Sequence, residues 1–291
     1  MKRLGPLKFA ILILGYNAPG GAAALTEYFR KHRSADGDVF DVFIHVDQKL
    51  DLDIFQPAIA YGAIAVKQRV SVYWCGWTMV EAAMRLIFEA QAHGVYDRFV
   101  LISDDSLPLV SADELASVLD RFPNFAHIFR NDARRPRYDR FYMFDSQATQ
   151  LRWTEDRAVS DDAISRFTRL AALKKRGKKP LERYYQGSQF MALAADDVRR
   201  LTTSWYQDVW MRESFEFSDT PDEAYIQSVL GNGGGVTPRE FMLVEWAEPT
   251  LPRTFTSLDE LAGIKRTTEL FCRKVALPEE DYPRWFAHLG R

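Results

Sequence analysis

The sequence predicts an α/β protein whose central sheet is mostly parallel and carries helices on both faces. Two patterns predict it. Short runs that are apolar along their whole length alternate with helix-length segments bearing an apolar stripe, and several of these runs end on polar residues. A strand buried on both faces has no polar side to show and reads as a continuous apolar run, whereas a strand with one wet face alternates. Helices between such strands provide the crossovers that parallel pairing requires.

Residues 9–14 form the first such run, and residues 20–33 follow with Ala24, Leu25, Tyr28 and Phe29 at helical spacing. Residues 40–46 are a second run, ended by Asp47-Gln48-Lys49, and residues 63–66 a third. Residues 78–92 read as a helix through Val80, Met84, Leu86, Ile87 and Phe88. Residues 98–102 are a fourth strand, closed by Ser103-Asp104-Asp105. In sheets of this kind ligands bind beyond the carboxyl ends of the strands. Tyr16-Asn17, Asp47-Gln48-Lys49 and Ser103-Asp104-Asp105 therefore form a candidate binding face, for which a nucleotide is the commonest ligand.

The second half is less regular. Arg130, Arg134, Arg135, Arg137 and Arg140 cluster in a loop-like setting. Residues 161–183 are amphipathic through Ile164, Phe167, Leu170 and Leu173, and run into Lys174-Lys175-Arg176-Gly177-Lys178-Lys179. That basic segment, residues 166–183, reads either as a solvated helix end and loop or as a peripheral contact with anionic lipid or glycan.

At 291 residues, 47% of them hydrophobic, the chain can bury one large core or two intimate halves, 1–130 and 131–291. Thirty-eight basic against 40 acidic side chains leave a net charge of −2, which excludes a charge-driven nucleic-acid partner. Cys75 and Cys272 are the only cysteines and read as reduced structural thiols, with no metal-ligand spacing around them. The apolar run near the N-terminus is too short for a signal peptide and reads as a strand. No stretch approaches the roughly eighteen apolar residues of a membrane span. The expected compartment is the cytoplasm, at most peripheral to the inner face of the membrane.

Particular segments carry a family resemblance. Phe43-Ile44-His45-Val46-Asp47-Gln48-Lys49 is similar to the "IHVD-x-K" strand end of the core-2/I-branching N-acetylglucosaminyltransferases and the related proteoglycan xylosyltransferases. Val72 to Ala82 resembles their "WGG-x-S-x-VEA" segment, and Tyr96 to Ser103 their "YDYFILLS" strand. Tyr184 to Phe190 resembles "Y-x-GSQW", Pro221-Asp222-Glu223 "PDE", Glu245-Trp246 "DW", and Leu270 to Lys274 "LFARKF". Each is weak alone, but their order along residues 43–275 matches the family.

The resemblance implies a single GT-A-like domain over residues 1–291, with a nucleotide-sugar-binding half and an acceptor-binding half, and an inverting transfer from a UDP-sugar to a glycan hydroxyl. It assigns Glu223 as general base. Asp47 and Trp74 fall on the nucleotide-sugar side, with Arg253, Arg273 and Lys274 on the diphosphate in place of a metal. Gly187, Ser188, Gln189 and Trp246 fall on the acceptor side. The same residues also suit structural roles: Pro221-Asp222-Glu223 is a good first helical turn, Asp47 a turn former, and tryptophans are mostly packing residues. The donor is UDP-GlcNAc, UDP-xylose or a related UDP-sugar, and the acceptor a glycan or lipid-linked glycan.

One departure keeps a second mechanism open. The family commonly writes "SG-x-D-x-P" where this chain has Ser103-Asp104-Asp105-Ser106-Leu107-Pro108. Adjacent carboxylates at a strand end suit Mg²⁺ or Mn²⁺, so a metal-dependent transferase using Asp104 and Asp105 is the alternative to the cofactor-free one. A glycoside hydrolase with a carboxylate pair, or a non-catalytic carbohydrate-binding relative, are the readings from other classes.

Overall fold

The computed structural model describes residues 5–138, 142, 144–145, 183–234, 238–248, 251–265 and 268–290. Its centre is a five-stranded sheet in the order β3-β2-β1-β4-β8, made of β1 (Lys8–Gly15), β2 (Val39–Val46), β3 (Ile64–Ala65), β4 (Arg98–Ser103) and β8 (Met191–Ala194). The first four strands are parallel, with β1 in register with β2 from Lys8↔Val39 to Gly15↔Val46. β8 lies antiparallel on the outer edge of β4, from Arg98↔Ala194 to Leu101↔Met191.

Alternation along these strands divides the core. Phe9, Ile11, Ile13, Val42, Ile44, Val100 and Ile102 face one layer, which is covered by α1 (Pro19–Lys31), α4 (Ala112–Arg121) and α9 (Asp281–Leu289). Ala10, Leu12, Phe43, Phe99 and Leu101 face the other, covered by α3 (Trp77–His93), α5 (Ala195–Gln207), α6 (Val209–Phe215) and α7 (Tyr225–Gly233). Burial on both sides is why β1, β2 and β4 read as uninterrupted apolar runs.

The second half of the chain is built into this frame. β8, from residues beyond 183, completes the first half's sheet, so the two halves share one core. A three-stranded sheet, β5 (Ser106–Pro108), β12 (Phe271–Arg273) and β9 (Met242–Val244), continues from the end of β4, with β12 antiparallel to β5 and parallel to β9. Two antiparallel ribbons complete the strands: β6 (Ile128–Arg130) with β7 (Tyr185–Gly187), and β10 (Trp246–Glu248) with β11 (Leu251–Pro252). The short helices α2 (Gln56–Ala60) and α8 (Leu258–Ala262) sit in connections.

Cys75 and Cys272 are buried free thiols, and burial pushes the Cys272 thiol up to about 12. Among the described residues no helix is long and apolar enough to cross a membrane. The amphipathic segment expected over residues 161–183 lies outside the described residues but for Arg183, as do Arg140 and the side chain of Arg135.

Candidate active site

Strand order reverses between β1 and β4, and the carboxyl ends there are where an open α/β sheet has room for a ligand. Asp104, at the end of β4, bridges the switch point. Its Oδ2 accepts from the backbone N–H groups of Tyr16 at 2.7 Å and Ala18 at 2.8 Å, tying β4 to the entry of α1. Burial pushes this carboxyl up to about 6 against the pull of those donors. The fit is close: a Cβ at Gly21 would overlap the Asp104 carbonyl oxygen, so α1 can lie this near the strand end only with glycine there.

Asp47 ends β2. Its backbone N–H donates to the Gly15 carbonyl at 3.0 Å, and its buried Oδ1 accepts from the N–H groups of Lys49 at 2.9 Å and Val72 at 3.3 Å. Lys49 Nζ lies 2.9 Å from Oδ2 and 4.3 Å above the Tyr73 ring. Behind it, His45 Nε2 accepts from the Val70 N–H at 3.0 Å, which requires the neutral ring, and burial pushes His45 down to about 4. These bonds hold the loop that presents Trp74, 49% exposed, at the edge of the sheet.

The other basic and acidic candidates are sorted by their partners. Asp105 is gripped by Arg273, with Nε 3.3 Å from Oδ1 and Nη2 3.2 Å from Oδ2, and the guanidinium lies 4.7 Å over Phe190. Arg253 is held by Glu245 and Glu260, each at 2.8 Å. Lys274 differs. Its carbonyl accepts from Phe255 N–H at 2.8 Å and the next residue, Val275, donates to the Asp105 carbonyl, but its ammonium has no ion-pair or hydrogen-bond partner among the described residues. A cation without a partner beside the strand ends is available to an anionic ligand.

Glu223 lies in the connection between α6 and α7. Pro221–Glu223 form a 3₁₀ turn rather than the first turn of α7, which starts at Tyr225. Thr220 N–H donates to the Cys75 carbonyl at 3.1 Å, joining this turn to the Trp74 loop, and both residues have left-handed backbone, φ 54° and 64°. For a β-branched threonine that conformation is costly and persists only where surroundings impose it. Arg137 braces it from the side-chain side: its fork holds Asp219 at 2.9 and 3.2 Å and its Nη2 donates to Thr220 Oγ1 at 3.0 Å.

Glu223 Oε2 accepts from Gln186 Nε2 at 3.3 Å. The neighbouring motif residues are largely architectural. The Ser188 carbonyl accepts from buried Gln227 Nε2 at 2.8 Å, and Ser188 Oγ accepts from Phe190 N–H at 3.1 Å. Gln189 is buried with its Nε2 unpaired. Trp246, 59% exposed, is carried by the β10–β11 ribbon beyond β9.

Asp222 is buried, and burial first, then the charge of Glu223, push it up to about 8. It therefore holds its proton at neutral pH. The unfolded side chain titrates near 3.8, so the folded state binds the extra proton between the two values and stability falls as pH rises through that window. Asp222→Asn cannot ionise and removes this slope. Thermal melts should show the variant gaining on the wild type by several kcal/mol from about pH 5 to about pH 8. A difference constant with pH would contradict it.

These contacts close a circuit around the sheet end: Asp47 to Gly15, the Tyr16–Ala18 backbone to Asp104, Asp105 to Arg273, Arg273 to Phe190, the Gly187–Ser188 segment to the Pro221–Glu223 turn through Gln227, and Thr220 to the Trp74 loop that Asp47 holds. Sequence reasoning missed Arg137, which braces Thr220, and Gln186, which donates to Glu223 and is itself held by Asn131 Nδ2 at 3.0 Å. Gln186 sits inside the Tyr184–Phe190 segment, yet only the tertiary structure reveals that it touches Glu223.

Residues 9–269 match the family model described as the core-2/I-branching enzyme. No curated protein sequence matches the chain. Among solved structures, the apo crystal structure of mouse xyloside xylosyltransferase 1 aligns over 92% of this chain and 97% of that chain, at 12% identity and a TM-score of 0.38.

Proposed function

Because the chain belongs to the core-2/I-branching enzyme family and is a UDP-sugar-dependent glycosyltransferase, we propose that it inverts the anomeric centre in one displacement, with Glu223 as general base and Lys274 beside the diphosphate. The observation that carries this reading is that Glu223 belongs to a turn bonded to the same loop that Asp47 anchors at the end of β2.

The base takes the acceptor hydroxyl's proton as the new bond forms, while a cation opposite balances the charge gathering on the departing UDP. Asp47 and Trp74 flank the nucleoside side, and Arg273 backs Lys274 from its pairing with Asp105. Arg253 reaches a diphosphate only by giving up Glu245 or Glu260. The donor sugar is GlcNAc, xylose or a relative, and the acceptor a glycan or lipid-linked glycan entering past Gly187, Ser188, Gln189 and Trp246.

The partners of the two acids support metal-independent transfer. Asp104 Oδ2 accepts from two backbone donors and Asp105 is paired with a guanidinium, so a Mg²⁺ or Mn²⁺ ion would have to displace Arg273 to use both carboxylates. Incubation with UDP-GlcNAc and UDP-xylose in turn, with released UDP as the readout, should show turnover with at least one of them. Release of sugar from a glycan in the absence of any UDP-sugar would instead point to a hydrolase.

A further inference from the structure

We infer that Gln186 is a positioning residue for the Glu223 carboxylate, and that Asn131 fixes which end of the Gln186 amide faces it. The inference rests on the reading of Glu223 as general base.

The direction of each hydrogen bond follows from chemistry. An ionised carboxylate only accepts, so the end of the Gln186 amide 3.3 Å from Glu223 Oε2 is its NH₂. The Gln186 carbonyl then points the other way, where Asn131 Nδ2 donates to it at 3.0 Å. Each group's orientation follows from the one before it, and the chain ends on the catalytic carboxylate.

The backbone holds this relay to length. Gln186 is paired directly with Phe129 across the β6–β7 ribbon, and Asn131, two residues on, shares that face. Asn131 N–H extends the ladder to the Tyr184 carbonyl at 2.9 Å. Ser228 Oγ on α7 accepts from Tyr185 N–H at 3.0 Å and donates to the Tyr185 carbonyl at 3.2 Å, clamping the ribbon to the helix that follows Glu223. Gln186 therefore meets Glu223 across a gap set by main chain on both sides, as a group that orients a catalytic side chain requires.

Three variants separate this role from simple packing. Gln186→Met keeps the length and removes the donor. It should lower kcat for UDP release from UDP-GlcNAc or UDP-xylose by about tenfold, the scale of a hydrogen bond to a charged group, while leaving the donor KM unchanged. Asn131→Ala should have a smaller effect. Asn131→Asp is nearly isosteric, yet its carboxylate would attract the Gln186 NH₂ and turn the carbonyl oxygen toward Glu223, so it should be worse than Asn131→Ala. A packing role predicts the reverse order, and that order, or wild-type kcat in Gln186→Met, overturns the inference.

Glu223→Gln distinguishes the two readings. Full turnover in that variant removes the base itself, whereas an inactive Glu223→Gln beside an unaffected Gln186→Met removes only the positioning. Without turnover on either donor, the side-chain amide resonances of Gln186 in ¹⁵N-labelled protein decide. They should move on Glu223→Ala and on Asn131→Asp, and resonances indifferent to Glu223→Ala overturn the inference.

Discussion

Glu223→Gln should leave UDP binding nearly intact and lower turnover by about a hundredfold or more, the range associated with loss of a general base. The substitution is close to isosteric, and its carbonyl oxygen can still accept from Gln186, so the turn anchored by Thr220 and Arg137 should survive. What is lost is the basic oxygen that we propose takes the acceptor's proton. Loss of kcat with constant UDP affinity places the effect in the transition state, whereas equal loss of both would describe a damaged fold. Near-wild-type turnover would remove Glu223 from the mechanism.

The second large effect is expected at Gly187. A Cβ there would overlap the His127 carbonyl oxygen across the β6–β7 ribbon, and main chain on that side cannot step aside as a flexible side chain would. Gly187→Ala should therefore destabilise the protein by about 3 kcal/mol or more, a large share of the roughly 5–15 kcal/mol that holds a domain together. Because the ribbon carries Gln186, turnover should fall even in molecules that remain folded. Urea denaturation checks the first effect and kinetics below the melting range the second. A variant as stable as the wild type would show that the ribbon relaxes there.

The parts of the fold legible in the sequence are those whose neighbours impose one kind of residue. β1, β2 and β4 are covered on both faces, and their uninterrupted apolar runs follow directly from that. β8 was not legible: four residues at the edge of β4, reached from the far half of the chain, are too few to show a period. The ribbons β6–β7 and β10–β11 failed for the same reason.

The candidate site divides along a similar line. The strand-end positions of Asp47 and Asp104 and the turn that carries Glu223 were legible because strand ends and turn starts are local events. The role assigned to Glu223 came from the family resemblance. Which cation is available was not visible, because Arg253 and Arg273 are taken up by Glu245, Glu260 and Asp105, partners brought in by tertiary structure. Arg137 was indistinguishable from its arginine neighbours until its fork was seen on Asp219.

We propose that protein side chains, and not a bound cation, balance the UDP diphosphate. Calorimetric titration with UDP and with uridine, both in EDTA, tests it most directly, with Lys274→Ala as the companion variant. The arrangement around Lys274 predicts that UDP binds in EDTA more tightly than uridine, and that Lys274→Ala weakens UDP much more than uridine. UDP binding that appears only on adding Mn²⁺ or Mg²⁺ would contradict it and assign the diphosphate to a cation held at Asp104 and Asp105.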